Sequence, residues 1–172
     1  MLRSRAASRF VNFFIKEGQN NARVSDPSML VASRKALLDL QKFANGGSLD
    51  AEIMEYVKIR ASQINGCAYC LAMHWRDSLK MGMQPDKLAT LDAWREAEWF
   101  TPEERAALAW TEALTHLSTH EVSDELYDAC REVYSEQEMI DLTVAIIAIN
   151  NWNRLSVAFG TQPEPFTLNG AQ

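Results

Sequence analysis

Residues 64–74 read INGCAYCLAMH, and this stretch predicts both where the chain reverses and where its chemistry lies. Asn65-Gly66 is a strong turn signal, so one helix should end there and another should begin at the cysteine pair. Cys67 would then lie in the first turn of the new helix, where free amide groups and the positive end of the helix dipole favour a thiolate. The stretch therefore predicts a break between two helices with a reactive cysteine pair beside it.

The spacing within this stretch sets three side chains on one helical face. Cys67, Cys70 and His74 are separated by three and then four residues, which aligns them in a single stripe. The two thiols lie within reach of a disulfide, and the imidazole lies beside the second thiol. Taken alone, the pattern is open to three interpretations: a redox pair, a metal site or two small buried side chains.

An acidic residue is predicted to join this stripe through the turn. If the chain folds back into two antiparallel helices, a residue about ten before the turn lies level with one about ten after it. That register pairs Glu55 with His74, whereas one continuous helix would hold them about 28 Å apart. Glu55 would then orient the imidazole or exchange protons with it, and His74 would take the proton of Cys70. Glu52 is the competing acid, but an exposed helix face accounts for it.

The rest of the chain carries the start and stop signals of an all-α protein, and period-2 strands are absent. Thr101 with Glu104 and Ser135 with Glu138 form capping pairs before two later segments. The last helix holds the apolar stretch 139–149 and is predicted to be the most buried. The predicted helices run from Ser25-Asp26-Pro27 to Gly46-Gly47, from about 50 to 63, from the cysteine pair to near Gly82, from about 85 to 97, from 101 to about 117, from 123 to 134, and from 135 to Gly160.

Composition is that of a single soluble globular domain. With 172 residues, 47% of them hydrophobic, the chain can bury a core without disulfides. A net charge of -6 without a basic stripe argues against nucleic-acid binding. The longest apolar run, 144–149, falls far short of the roughly 20 residues needed to cross a membrane.

The domain organisation predicted from these signals is simple. Residues 1–24 form an N-terminal arm or helix, residues 25–160 the domain, and residues 161–172 a tail. Residues 1–16 are basic and free of acids, as organelle transit peptides are, but an arm or helix of a cytoplasmic protein is the preferred interpretation. Three cysteines do not make a disulfide framework, and a close pair in a reducing compartment indicates redox or metal chemistry.

Several other residues that can serve in sites are predicted to be structural. His116 and His120 are four apart, as in a metal pair, but no acid lies between them and they are predicted to be solvated or capping. Cys130 has no partner in its segment and is predicted to lie in the core. The five tryptophans are predicted to lie in the core or at a subunit interface. They include Trp75, Trp99 and Trp152.

Polar residues in the most apolar helix leave two interpretations open. Asn150, Asn153 and Arg154 must be paired if they are buried. They would either anchor the last helix or line a pocket, and the sequence does not decide between the two.

The spacing of the site residues resembles a known signature. The pattern consists of Glu55, eleven residues, Cys67-Ala68-Tyr69-Cys70, three residues and His74. It is similar to the pattern of the AhpD-like alkylhydroperoxidases, a branch of the carboxymuconolactone decarboxylase family. The segments RASQINGCAYC, ERAALAWTEALT and INNWNRLSVAFG are also similar to members of that family. The resemblance extends from about Leu30 to Phe159.

This resemblance implies an all-α AhpD-like domain that assembles into trimers or larger rings such as hexamers, with the site in a crevice near subunit contacts. It implies a thiol-dependent peroxidase or disulfide oxidoreductase without a tightly bound cofactor or metal. Cys70 would be activated through Glu55 and His74 and attack a peroxide or a partner's disulfide. Cys67 would resolve the product as a Cys67–Cys70 disulfide, which an external dithiol or a protein reductant such as a peroxiredoxin reopens.

One position departs from the family pattern, and two other functions remain as alternatives. Founding members often carry a histidine directly before the second cysteine, whereas this chain has Tyr69, whose phenol is a poor proton shuttle at neutral pH. The family name suggests a lactone decarboxylase, although that chemistry needs no dithiol. A zinc-binding, non-catalytic module would use Cys67, Cys70 and His74 but lacks an obvious fourth ligand. A pocket lined by Trp, Met and Ile would suit an organic hydroperoxide.

Overall fold

The computed structural model describes residues 23–24 and 31–164. Within them the chain forms seven α-helices and no β-strand, which confirms the predicted all-α class. The predicted start at Ser25-Asp26-Pro27, residues 1–22 of the arm and residues 165–172 of the tail lie outside the described residues. The helices are α1 (Val31–Asn45), α2 (Ala51–Asn65), α3 (Ala68–Lys80), α4 (Pro85–Ala89), α5 (Pro102–Thr115), α6 (Asp124–Arg131) and α7 (Glu136–Phe159), with a 3₁₀ turn at Leu91–Ala93 between α4 and α5.

Helix α2 lies at the centre of the fold, against α3, α5 and α7. Tyr56 and Ile59 pack into one apolar cluster with Leu91, Trp94, Phe100 and Leu108. Val57 packs into a second cluster with residues of α5, α6 and α7, among them Leu142 and Ile146. Because α2 is buried on more than one side, it holds its remaining polar side chains in fixed positions.

The turn after α2 has the geometry that its sequence requires. Gly66 adopts a φ of 65° and ψ of 33°, the left-handed conformation that a residue without a Cβ adopts at little cost. The amide of Cys67 donates to the carbonyl of Ser62 at 3.0 Å, which closes the end of α2. Cys67 is the N-cap residue of α3, so the new helix begins at Ala68, one residue later than a first-turn cysteine would require.

Two buried asparagines of α7 hold this turn in place. Asn65 donates through Nδ2 to Oδ1 of Asn150 at 2.9 Å and to Oδ1 of Asn153 at 3.0 Å. Asn153 donates in turn to Oγ of Ser62 at 2.9 Å. The two asparagines therefore anchor the last helix, while Arg154 is exposed and donates to Asn150. Buried amides in such a network hold one register of α7 against α2, since a shift would leave them unpaired.

The predicted capping pairs are present, but the fourth predicted helix is wrong in its length. Thr101 with Glu104 and Ser135 with Glu138 form reciprocal capping boxes. The helix expected over 85–97 ends at Ala89 and gives way to the short 3₁₀ turn. The guanidinium of Arg105 donates to the carbonyls of Arg95, Ala97 and Phe100, and these non-helical hydrogen bonds from α5 replace the continued helix.

Among the residues described, no helix is long and apolar enough to cross a membrane. This agrees with the short apolar runs of the sequence. The boundaries predicted for the domain stay predictions.

Substitution of Gly66 tests the cost of the left-handed turn. A Cβ at Gly66 would meet nothing within 4 Å, so Gly66→Ala adds backbone strain without a clash. We expect it to lower the free energy of unfolding in urea by about 1 kcal/mol. Gly46→Ala is the matched control, since Gly46 has no positive φ and its nearest contact would be 3.4 Å away. Equal losses in the two variants would contradict this account.

Candidate active site

Glu55 is a buried carboxylate held between two nitrogen donors. Its Oε1 lies 2.7 Å from Nζ of Lys58, and its Oε2 lies 2.9 Å from Nδ1 of His74. Glu55 and Lys58 are one turn apart on α2, whereas His74 comes from α3, nineteen residues further along the chain. The return of the chain at Gly66 is what brings the two helices to this contact.

The electrostatic balance at Glu55 favours its ionised form. Burial alone raises the pKa of the carboxyl, because the charged form loses its hydration. The hydrogen bonds and electrostatic interactions of the carboxylate with His74 and Lys58 outweigh that effect and hold the pKa of Glu55 below its ordinary value. The site therefore contains a carboxylate that accepts hydrogen bonds on both oxygens.

Cys67 and Cys70 form a disulfide at the start of α3. Their Cα atoms are 5.4 Å apart, and both side chains are fully buried. The Sγ atom of Cys67 accepts a hydrogen bond of 3.3 Å from the amide of Cys70, which makes the sulfur atom the cap of the helix. A sulfur that accepts a hydrogen bond at a helix N-terminus is stabilised when it carries negative charge.

A cleft of about 440 Å³ opens beside these groups. Cys70, His74, Glu55 and Lys58 all contribute to its wall, whereas Cys67 does not. Of the two cysteines, Cys70 is therefore the one that contributes to the wall of the cleft. The remaining wall consists of Leu38, Gln41, Asn45, Tyr69, Met73, Asp77, Ile149, Trp152 and Ser156, drawn from α1, α3 and α7.

A family model and a curated relative decide the classification. The model of the carboxymuconolactone decarboxylase family matches residues 32–113. The uncharacterized protein YdfG of Bacillus subtilis (strain 168) is 40% identical over 140 residues, which are 81% of this chain and 95% of that protein. The chain belongs to the carboxymuconolactone decarboxylase family.

Solved structures agree with an AhpD-like member of this family. A crystal structure of a protein of unknown function from Agrobacterium tumefaciens, proposed to be the antioxidant defence protein AhpD, has a TM-score of 0.81 and 32% identity, covering 84% of this chain and 99% of that one. The debrominase Bmp8 has a TM-score of 0.69 and 23% identity, covering 76% of this chain and 70% of its own, and shares the fold. Membership supports an enzymatic function that is peroxidase-related or decarboxylase-like.

The four site residues predicted from the sequence lie together in this AhpD-like domain. Glu55 and His74 are in contact, and Cys67 and Cys70 are bonded, while the roles assigned to them stay predictions. Lys58 was not among the predicted site residues. The spacing could have indicated Lys58, since a lysine three residues after Glu55 shares its helical face. Its burial could not be predicted, because it depends on how α1 and α7 pack.

Residues predicted to lie outside the chemistry do lie elsewhere. Glu52 is exposed near the start of α2, so it does not compete with Glu55 for His74. His116 ends α5, and His120 is exposed and within 2.9 Å of the Thr119 hydroxyl. Cys130 is a free cysteine in the core, where burial raises the pKa of its thiol to about 11.

The tryptophans divide between the core and the surface in a way that the sequence prediction did not separate. Trp94 and Trp110 are buried, and Trp75 packs against the first core cluster. Trp152 lines the cleft, and Trp99 is exposed. Trp152 is therefore a wall residue of the candidate site.

The zinc alternative has no preformed site. Among residues 23–24 and 31–164, no group of three or more His, Cys, Asp or Glu side chains is arranged to hold a metal ion. The cysteines would first have to be reduced before they could act as ligands.

The pH dependence of stability should reveal the buried carboxylate. The pKa of Glu55 lies below its ordinary 4.5, so its carboxylate contributes stability above that pH, and the contribution is lost as pH falls through the folded-state pKa. At neutral pH we expect Glu55→Gln to lower the free energy of unfolding by about 3 kcal/mol, because Lys58 stays buried without its partner. The gap to the wild type should close on acidification.

Urea unfolding of both proteins between neutral and acidic pH measures this gap. Glu52→Gln is the control, since it removes an exposed carboxylate from the same helix and should change stability little at any pH. A gap for Glu55→Gln that stays constant with pH would contradict an ionised, stabilising Glu55.

Proposed function

We propose that this protein is a thiol-dependent peroxidase or disulfide oxidoreductase of the AhpD-like type. The observation that carries the proposal is the composition of the cleft wall, to which Cys70 and the Glu55–His74 pair contribute, while Cys67, outside that wall, is bonded to Cys70. A nucleophile, a base and a group that orients the base make up the minimum set for thiol activation.

In the first half of the cycle the peroxide is reduced and the cysteine pair is oxidised. His74 takes the proton of Cys70, and the thiolate of Cys70 attacks one oxygen of the peroxide group. The O–O bond breaks, the alcohol leaves with a proton from His74, and Cys70 becomes a sulfenic acid. The thiol of Cys67 then attacks the sulfur of Cys70, so that a disulfide forms and water is released.

The cycle closes when an external dithiol returns two electrons to the disulfide. Its thiolate attacks one sulfur of the Cys67–Cys70 bond, and its second thiol releases the mixed disulfide, leaving both cysteines reduced. The donor would be a small dithiol or a protein reductant such as a peroxiredoxin, in a reducing compartment such as the cytoplasm. If the partner supplies a disulfide in place of a peroxide, the same pair works as a disulfide reductase.

Tyr69 gives this member of the family its own proton path. The tyrosine lines the cleft next to Cys70, where a phenol is a poor proton shuttle, so His74 is the base that acts on Cys70 without a second histidine as shuttle. Glu55 accepts from Nδ1 of His74 and thereby directs the other ring nitrogen to the thiol.

A homo-oligomeric assembly, trimeric or hexameric, forms part of the proposal. Helix α7 is apolar around most of its circumference, and Ile140 and Ile147 are exposed on it two turns apart. A helix of this kind is usually covered on all sides. Light scattering on the purified protein would reject this assembly if it gave the mass of one chain.

Two alternatives are separated from the proposal by simple measurements. A zinc module would carry one firmly held zinc per chain after purification without added metal. A lactone decarboxylase would turn over its substrate with both cysteines replaced, because that chemistry needs no dithiol. Neither alternative accounts for a disulfide at the wall of the cleft.

Replacement of each cysteine should have a different effect. Reduced, chelator-treated wild type given one equivalent of an organic hydroperoxide should lose two hydrogens from the peptide that holds Cys67 and Cys70, within seconds and without dimer formation. Cys70→Ser should lower turnover at least about a thousandfold, as loss of a nucleophile does. Cys67→Ser should accumulate a sulfenic acid or mixed disulfide on Cys70. Mass spectrometry distinguishes these products, and Cys130→Ser, which removes a thiol of the core, serves as the control.

The apolar part of the cleft predicts a preference for organic hydroperoxides. Leu38, Met73, Ile149 and Trp152 would contact the alkyl or aryl group, and we expect kcat/KM for cumene hydroperoxide to exceed that for hydrogen peroxide by about tenfold or more. Trp152→Ala should reduce this ratio, whereas Trp99→Ala, at an exposed position, should not. Equal turnover of small and bulky peroxides by the wild type would count against the assignment.

A further inference from the structure

Lys58 occupies a position that a lysine seldom takes. Its side chain is only 11% exposed, and its Nζ lies 2.7 Å from Oε1 of Glu55 at the wall of the cleft. Burial of an ammonium group is costly unless a negative charge compensates it, and Glu55 is that charge. The ion pair of Lys58 with Glu55 has no role in the chemistry by itself. It matters through its effect on His74, which contacts the same carboxylate.

The charges of the cluster balance in one arrangement only. Glu55 carries one negative charge and Lys58 one positive charge. Lys58 contacts Oε1 of Glu55 and His74 contacts Oε2, so both contacts can exist at the same time. With Lys58 charged, the site is neutral when His74 is uncharged. Without Lys58, a proton on His74 would be the nearest means of balancing Glu55.

The charge of His74 decides whether it can act as a base. An uncharged imidazole that donates Nδ1–H to Glu55 keeps a free electron pair on Nε2, whereas an imidazolium has none. Only the uncharged ring can accept the proton of Cys70. A residue that determines the charge of His74 therefore determines whether His74 can act as the base toward the thiol.

The other groups around the cleft do not supply a second positive charge. Among the described residues that line it, α1 contributes Leu38, Gln41 and Asn45, and α7 contributes Ile149, Trp152 and Ser156, none of them titratable. From α3 come Tyr69, Cys70 and His74, together with Asp77, which is paired with Lys80 at 3.0 Å. Among the described residues that line the cleft, Lys58 is the only lysine or arginine.

We propose that Lys58 is a positioning residue that supplies the counter-charge of Glu55 and so leaves His74 uncharged and able to accept the proton of Cys70. The inference rests on the proposed function for its catalytic meaning. Its physical content, the protonation of His74, can be measured without any turnover.

Nuclear magnetic resonance of the histidine rings tests this directly. The chain has three histidines, and His116 and His120 lie away from the cleft, so they act as internal references. In the wild type at pH 7, the ¹⁵N shifts of His74 should be those of an uncharged ring with hydrogen on Nδ1. In Lys58→Gln, which keeps a hydrogen-bond donor but removes the charge, the midpoint of His74 titration should rise by about one pH unit, a tenfold change in proton affinity.

Two further variants separate charge from structure. In Lys58→Arg, which keeps the positive charge, His74 should titrate as it does in the wild type. Lys42→Met removes an exposed lysine of α1 and should leave the titration midpoint of His74 unchanged. An imidazolium at His74 in the wild type at pH 7 would overturn the inference even if no Lys58 variant folded. A midpoint for His74 that is unchanged or lower in a folded Lys58→Gln would overturn it as well.

The reactivity of the thiol provides a second readout. In a Cys67→Ser background, the pH profile of Cys70 alkylation by iodoacetamide should change along the pH axis in Lys58→Gln, with the same rate at its alkaline plateau, because the thiolate responds to the charge of the neighbouring imidazole. A uniform loss at every pH would indicate a merely structural lysine and reject the proposal. If the histidine and thiol shifts occur but the wild type reduces no peroxide, the charge assignment stands and the peroxidase function fails.

Discussion

The left-handed turn at Gly66 is the constraint on which the candidate site depends. It ends α2 and lets α3 run back beside it, so that side chains nineteen residues apart meet at hydrogen-bond distance. The turn is not held by its own backbone alone. Asn65 is bound by two asparagines of α7, and through them the longest of the described helices holds the turn that the disulfide follows.

Polar groups are buried near the site in sets that satisfy one another. Ser62, Asn65, Asn150 and Asn153 share hydrogen bonds at the C-terminal end of α2, while Glu55, Lys58 and His74 share charges nearer the middle of that helix. The first set contains no ionisable side chain, so it holds the helices together at any pH. The second contains only ionisable side chains and faces the cleft. The α2 residues of both sets lie on one face of the helix, with the structural contacts at its C-terminal end and the ionisable cluster nearer its middle.

Local patterns were sufficient to predict most of the fold and the four residues of the candidate site. The Asn-Gly turn, the capping boxes and the register of Glu55 with His74 all depend on residues close in sequence, where rules of spacing apply. The irregular segment after Ala93 was mispredicted because Arg105, from a later helix, binds its carbonyls. The burial of Lys58 and the place of Trp152 at the cleft also depend on how α1 and α7 pack, and helical periodicity carries no information about that.

The position of the Cys67 sulfur has a kinetic consequence for the proposed cycle. This atom caps α3 by accepting the amide proton of Cys70, so its location is set by the backbone of the residue with which it must react. After Cys70 is oxidised, the sulfur of Cys67 would lie next to the sulfur of Cys70, and no loop would have to close and no helix would have to rearrange. Ring closure would then compete with outside thiols through a high effective molarity, and the sulfenic acid would be short-lived.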